Sequence, residues 1–279
     1  MINRVKLLDH GYLKFVEKWG SEKRIIEAAR MSTDKGFLGW GLLKCSCGAV
    51  SHTSRSTSTS VDIGGQLLFK DKKDSSCPTE RGGAHVALPS NRAGDEKLMR
   101  YLWENKHATP FEFAGTIIEV QAPICVYREW HRHRTQSFNE MSGRYTPLPN
   151  FNYIPTVERL MFNSKGSNKQ AGTISGAEEL TRTGAILFRK ELKVMYAEQE
   201  DMYQRALKRG IPKELARIHL PVGRYSRMRA SANLRNWLGF LTLRQDPAAQ
   251  YEIRVYANAM ANILSNRFPR VMEMFSEQR

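Results

Sequence analysis

Cysteine is scarce in this chain: four residues in 279, at Cys45, Cys47, Cys77 and Cys125. A protein of this length held together by disulfides would carry more, so the sequence reads as one of a reducing, cytoplasmic compartment. No apolar run reaches the ~18 residues of a membrane span, and the opening "MINRVKLLDHGYLKF" lacks the apolar block of a signal peptide, so neither export nor a membrane partner is expected. Long blocks of like charge, internal repeats and glycine-rich phosphate loops are also missing.

What is there is enough apolar sequence, 41% of residues, for one large or two small domains with a real core. The net charge is +15, from 43 basic against 28 acidic residues, and the pI is near 9.8. Such a field attracts polyanions without distinguishing nucleic acid from nucleotides, flavins or a folate tail. The basic excess is spread through helix-like segments that also carry apolar faces, which argues against a nucleic-acid partner.

The amino half reads as mixed. A short strand, "RVKLLDH", precedes a helix centred on "EKRIIEAARM". From about residue 37 to 92 the composition turns to Gly, Ser, Thr and Lys. The apolar islands "FLGWGLL" and "GGQLLF" allow a hairpin or small lobe there, but a flexible, peripheral insertion is the preferred reading. Regular structure resumes at "DEKLMRYLWENKH", a helix with Leu98, Leu102 and Trp103 on one face and Asp95 and Glu96 at its amino end. "AGTIIEVQA" has the β-branched content of a strand. Pro123 suits the first turn of a short helix, "ICVYREWHRHR".

The carboxy half reads as mostly helical. After the extended "PLPNFNYIPTVERL", a long helix from about 177 to 209 presents Phe188, Leu192, Met195, Gln199, Met202 and Ala206 as its inner face. "PKELARIHLP" is a short helix and "SRMRASANLRNWLGFLTLR" a longer one, cut by Asp246-Pro247. "AAQYEIRVYANAMANILSNRF" is the last long helix.

The least ordinary run is "EWHRHRTQSFNEMSGRY", Glu129 to Tyr145. Solvated helix pairs would account for Arg and Glu at this spacing at a few tenths of a kcal/mol each. The density argues otherwise. Guanidinium forks recur at Arg128, Arg132, Arg134 and Arg144, and these suit phosphate, carboxylate and carbonyl oxygens. Asn139 and Glu140 can read the N–H and C=O edges of a heterocycle, and Gly143 lets backbone approach a ligand. The run suits a planar anionic molecule.

No metal is expected there. His131 and His133 are two apart and diverge on a helix, among arginines that repel a cation. Cys45, Cys47 and Cys77, with His52 or His85, lack the paired spacing of a strong zinc site.

"RHRTQSFNEMSGR", Arg132 to Arg144, resembles the motif of the flavin-dependent thymidylate synthases, RHR-x-x-S-x-N-E-x-S-x-R, and meets it at every fixed position. The likeness extends through "EAARMS", "HATPFEF", "YIPTVERL", "ARIHLP" and "NLRNWLGFLTLRQDPAAQYEI", leaving out the insertion and a loop near residue 170. It implies an α+β fold, a compact mixed sheet with long carboxy-terminal helices, as one domain over 1–279 interrupted by an insertion untypical of the family at 37–92. It also implies a homotetramer with active sites shared between chains. The implied reaction makes dTMP from dUMP, with methylenetetrahydrofolate as carbon donor and FAD, reduced by NADPH, as hydride source.

By the same resemblance Ser32, Arg132, His133, Arg134, Asn139, Glu140, Asn233, Arg235 and Gly239 lie at FAD positions. Glu129, Arg132, Ser142, Gly143, Arg144, Arg217 and Arg244 lie at dUMP positions, with Arg144 at the phosphate and Arg244, the catalytic candidate, against the uracil. Arg235 and Arg244 are nine apart, so an unbroken helix sets them on opposite sides; either the helix bends or the two serve sites shared with different neighbours.

The chain departs from the family at four positions. It has Phe113 for a histidine in "TPFEF", Glu129 for a glutamine, Gly239 for an asparagine and Ala248 for a histidine. These leave open a flavoprotein that oxidises NADPH without folate chemistry. A basic nucleic-acid-binding protein is the remaining alternative. No cysteine resembles an activated thiol, and Cys125 reads as a core filler.

Overall fold

A computed structural model describes residues 4–40, 94–162 and 178–277, with the backbone of four short strands between 41 and 93. In chain order the elements begin with strands β1 (Arg4–Leu7) and β2 (Gly11–Trp19) and helix α1 (Glu22–Arg30). The short strands β3 (Leu43–Cys45), β4 (Thr59–Val61), β5 (Leu67–Phe69) and β6 (His85–Pro89) follow. Next come α2 (Asp95–Glu104), β7 (Gly115–Pro123), α3 (Ile124–Trp130), β8 (Ser137–Glu140) and α4 (Val157–Met161). The chain closes with α5 (Arg182–Lys208), α6 (Lys213–Ala216), β9 (Tyr225–Asn233), α7 (Leu234–Arg244), α8 (Tyr251–Ser265) and α9 (Pro269–Glu277). Among the described residues no helix is long and apolar enough to cross a membrane.

Backbone contacts gather the chain into two units, Met1–Lys18 with Thr116–Ala261 and Trp19–Gly115 with Asn262–Arg279. The first is built on a five-stranded sheet in the order β1-β2-β7-β9-β8. Alternation sets which way its strands face. In β9 Ser226, Met228, Ala230 and Ala232 are buried, while Arg227 and Arg229 between them are exposed. β8 pairs antiparallel with β9, Asn139 opposite Arg229 and Glu140 opposite Met228.

The buried side of this sheet packs against aromatic rings from the helices. Trp130 at the end of α3 stacks on Phe240 of α7 at 4.7 Å, and Tyr256 of α8 meets Trp130 edge-on at 6.2 Å. Tyr127, fully buried, accepts from the Ala122 N–H, with the Val120 carbonyl at 2.8 Å and the Ser226 carbonyl at 2.9 Å. One hydroxyl thus ties α3 to β7 and β9, and burial drives its pKa far up, so it stays neutral.

In the second unit Asp95 is wholly buried. It accepts from Arg30 Nε at 2.8 Å and from the Leu38 and Gly39 N–H groups at 2.7 and 2.9 Å. It therefore joins three segments instead of serving only the α2 dipole. Glu22 accepts from the Arg270 and Val271 N–H groups at 2.6 and 3.0 Å, capping α9 from another helix. Within the insertion the four strands pair antiparallel in the order β3-β6-β5-β4, so backbone order replaces the expected irregular loop at those residues. The side chains of the cysteines and histidines considered for zinc there lie outside the described residues.

Three expectations change. "YSRMRASAN" is strand β9 where a helix is expected, and only Leu234–Arg244 is helical, because alternate burial on a shared sheet outweighs local helix propensity. A strand, "GYLKFVEKW", stands before α1 where none is expected, entered through a tight turn at Leu8, whose φ is 54°. The expected last long helix is α8, and a further helix, α9, follows it where none is expected.

Candidate functional site

α3 is shorter than its pattern predicts. It stops at Trp130 because the following residues fold into a tight turn: the His133 N–H donates to the Trp130 carbonyl at 3.0 Å and the Gln136 N–H to the His133 carbonyl at 3.2 Å. Trp130 Nε1 donates to Gln136 Oε1 at 3.0 Å and closes the turn from inside. Arg132 and Arg134 are thereby left exposed on its rim, with His133 half-buried between them.

The end of α7 meets this turn. Arg244 donates through Nε to His133 Nε2 at 2.9 Å, through Nη1 to Glu129 Oε2 at 2.7 Å and through Nη2 to the Glu129 carbonyl at 2.9 Å. The Arg244 side chain is only 15% exposed. His133 also sits edge-on to Phe240, at 4.9 Å. Burial, then the Arg244 charge, pulls its pKa down to about 4, against a smaller upward pull from Glu129. At neutral pH the ring is uncharged. Since guanidinium only donates, Nε2 must be the acceptor nitrogen and the proton sits on Nδ1. Arg132 Nη1 lies 3.8 Å from Glu129 Oε1.

A second group forms around the far end of the motif. Arg144 Nε lies 3.1 Å from Glu214 Oε2, and Lys213 Nζ donates to the Tyr145 carbonyl at 3.0 Å. A Cβ on buried Gly143 would meet Arg217 Cδ and Nη1 at 3.1 Å and Leu148 at 3.2 Å, so a hydrogen is what lets Arg217 lie against this backbone. The Arg144 N–H donates to Ser142 Oγ at 3.3 Å, tightening the turn. Ser142, Gly143, Arg144 and Arg217 thus come together, and α6 adds Lys213 and Glu214, which sequence reasoning missed although they sit just before "ARIHLP".

Asn139 and Glu140 part company: neighbours on β8, they face opposite sides of the sheet. Asn139 lines an open polar dish of about 150 Å³ with Glu119, Met141, Arg227, Met228 and Arg229. There Tyr12 donates to Glu119 Oε1 at 2.8 Å, and that hydrogen bond holds the Glu119 carboxyl below its ordinary range. Sequence reasoning missed the arginines of the dish, which alternate in "SRMRAS" within a stretch expected to be helical.

Of the remaining flavin positions, Asn233 caps α7, its Oδ1 accepting from the Asn236 N–H at 3.0 Å. Arg235 and Gly239 share the exposed face of α7, and a Cβ at Gly239 would meet nothing within 4 Å. α7 runs unbroken from Leu234 to Arg244, so Arg235 and Arg244 do point apart. Ser32 lies in the other unit, exposed, in the turn after α1, with Oγ donating to the Ala29 carbonyl at 3.1 Å. Phe113, in the same unit, is 56% exposed. Cys125 is a half-buried free thiol whose pKa burial and then Glu252 push up, the reverse of an activated nucleophile.

The family described as thymidylate synthase complementing protein matches residues 14–270 and so runs through both units. The flavin-dependent thymidylate synthase of Ruegeria pomeroyi is 37% identical over 185 residues, 66% of this chain and 61% of that relative, so the match spans about three-fifths of its length. A relative of the same name from Rickettsia prowazekii is 31% identical over 99% of this chain and 79% of its own. Another, from Thermosipho africanus, is 30% identical over 97% and 92%. Among solved structures, a UMP/dUMP methylase from Streptomyces cacaoi bound with 5-Br UMP superposes with a TM-score of 0.67 at 24% identity, covering 98% of this chain and 96% of that one. At that identity the likeness establishes the α+β fold.

Proposed function

The chain belongs to the thymidylate synthase complementing protein family, and from that premise we propose that it makes dTMP from dUMP by reductive methylation. Methylenetetrahydrofolate is the carbon donor. FAD reduced by NADPH, when bound, supplies the hydride that completes the methyl group. The observation that carries the reading is the Arg244 guanidinium, fixed at three nitrogens by Glu129 and His133 beside the arginine-rich turn.

Addition at the uracil ring puts negative charge on a ring carbonyl. Each terminal nitrogen of Arg244 keeps one N–H beyond those given to Glu129, and these can meet that charge without reorganising. Ser142, Arg144 and Arg217, with Gly143 making room, form a cationic cradle suited to the nucleotide phosphate. The raised pKa of Cys125 agrees with chemistry that needs no thiolate.

The residues fit a flavin in kind. The exposed face of α7 at Arg235 and Gly239 has open space where a side chain would stand, as a planar ring requires. Exposed Arg132 and Arg134 would meet the pyrophosphate, with Asn233 as a further contact, and neutral His133 would offer its Nδ1–H. The active assembly is a cytoplasmic homotetramer whose two units form one family domain, and Arg235 and Arg244, facing apart on one helix, serve sites shared with different neighbours.

Anaerobic turnover with NADPH, methylenetetrahydrofolate and dUMP tests the reading, with dTMP as readout and the visible flavin bands as control. A yellow protein that makes no dTMP would sink it. Exposed Phe113, apolar where a histidine is usual, favours the second reading, an NADPH-oxidising flavoprotein without folate chemistry. That protein would consume NADPH under the same conditions.

A further inference from the structure

Glu129 departs from the family, and the resemblance implies a nucleotide contact there. Its surroundings point elsewhere. A carboxylate only accepts hydrogen bonds and repels a phosphate. Oε2 is already engaged by Arg244 Nη1 at 2.7 Å, and Oε1 faces Arg132 Nη1 at 3.8 Å. The backbone carbonyl of the same residue takes Arg244 Nη2 at 2.9 Å. One residue therefore grips both terminal nitrogens of Arg244, through side chain and main chain together. The guanidinium plane that results aims Nε at His133 Nε2.

We propose that Glu129 is a positioning residue: it clamps the Arg244 guanidinium and, through Arg244 Nε, holds His133 as the tautomer with its proton on Nδ1. The pair fixes two things at once. Arg244 keeps its free N–H groups in one plane, and His133 offers a donor, never an acceptor, from its other ring nitrogen. Because Arg244 is largely out of solvent, loss of the carboxylate leaves Nη1 without a partner and the side chain held by two hydrogen bonds instead of three. The consequence for turnover rests on the proposed thymidylate reaction; the consequence for the tautomer does not.

The test compares Glu129→Ala with Glu129→Gln in the full-length flavin-loaded protein. A positioning residue acts in the transition state, so E129A should lower kcat about tenfold or more while the KM for dUMP changes less than about threefold. E129Q keeps an oxygen acceptor toward Nη1 and should recover most of the loss. Two-bond proton–nitrogen spectra of the ligand-free protein, with His133 assigned by the loss of its signals in His133→Gln, should show a protonated Nδ1 and a bare Nε2. In E129A the two tautomers should mix. A rise in KM alone, an unchanged kcat in E129A, or a protonated Nε2 in the wild type would each overturn the proposal. If the wild type makes no dTMP yet shows the Nδ1–H tautomer that E129A loses, the thymidylate reading fails and the positioning role stands.

Discussion

The proposed chemistry turns on Arg244, and single substitutions around it are the sharpest probes. Arg244→Ala should cut dTMP formation by about a hundredfold or more, the scale of a lost oxyanion donor, while the visible flavin bands persist. Unchanged turnover would reject the role. His133 adds a dependence on pH. Its pKa in the fold, about 4, lies below the ordinary histidine value of 6.5, so the unfolded chain binds the proton more readily between those values. Stability should therefore fall as pH drops from about 6.5 toward 4, and His133→Gln should flatten that slope in urea melts. Gly143→Ala would place a methyl 3.1 Å from Arg217. The arginine is flexible enough to move, so the variant should fold normally and bind dUMP several-fold more weakly in calorimetry. The arginine-rich motif was readable because its residues are contiguous. The Glu129–Arg244 pair was not, because 115 residues separate its members and nothing local in either stretch announces the other.

At the scale of elements, burial decided what propensity left open. β7 was legible from its β-branched run, and α5 from its length. β9 was not, since "RMRASANLR" is built largely of good helix formers; its pairing with β8 selects the extended form and buries alternate residues. The strand that opens at Gly11 packs closely against a helix far along the chain, a contact with no local signal. A Cβ at Gly11 would fall 2.1 Å from the Tyr256 hydroxyl oxygen and 2.7 Å from the Leu7 carbonyl oxygen. That hydroxyl is itself committed, donating to the Gln121 carbonyl at 2.7 Å. Gly11→Ala should destabilise the protein by about 1–3 kcal/mol in thermal or urea melts, as overpacking does. Adding Tyr256→Phe removes one of the two clashes, so the double variant should lose less than the sum of the singles. Strict additivity would mean that the close approach to Tyr256 does not govern the site.

For the molecule as a whole, the telling feature is the face that α5 leaves uncovered. The sequence suggested an inner stripe of Phe188, Leu192, Met195, Gln199, Met202 and Ala206. The fold instead buries Ala185 and Tyr203 and half-buries Leu192 and Tyr196 between them, while Phe188, Met195 and Met202 remain 44%, 39% and 51% exposed. These three recur at heptad spacing along one side of the helix, a pattern that suits a partner helix better than water. Leu192, Gln199 and Ala206 of the expected stripe are half-buried, so the stripe divides between the chain's own core and its outer face. A second copy is the occupant that the proposed shared sites call for, because Arg235 and Arg244 point apart on one unbroken α7 and a single chain cannot turn both toward one ligand. Charging the stripe with Phe188→Glu and Met195→Glu should therefore lower the mass seen by light scattering toward that of one chain. Tyr203, on the adjoining flank of α5 that the fold buries, should stay packed, so far-UV circular dichroism should be unchanged. Formation of dTMP should fall with the mass. A folded monomer that still turns over at the native rate would show that each chain carries a complete site, and the opposed arginines of α7 would then need another explanation.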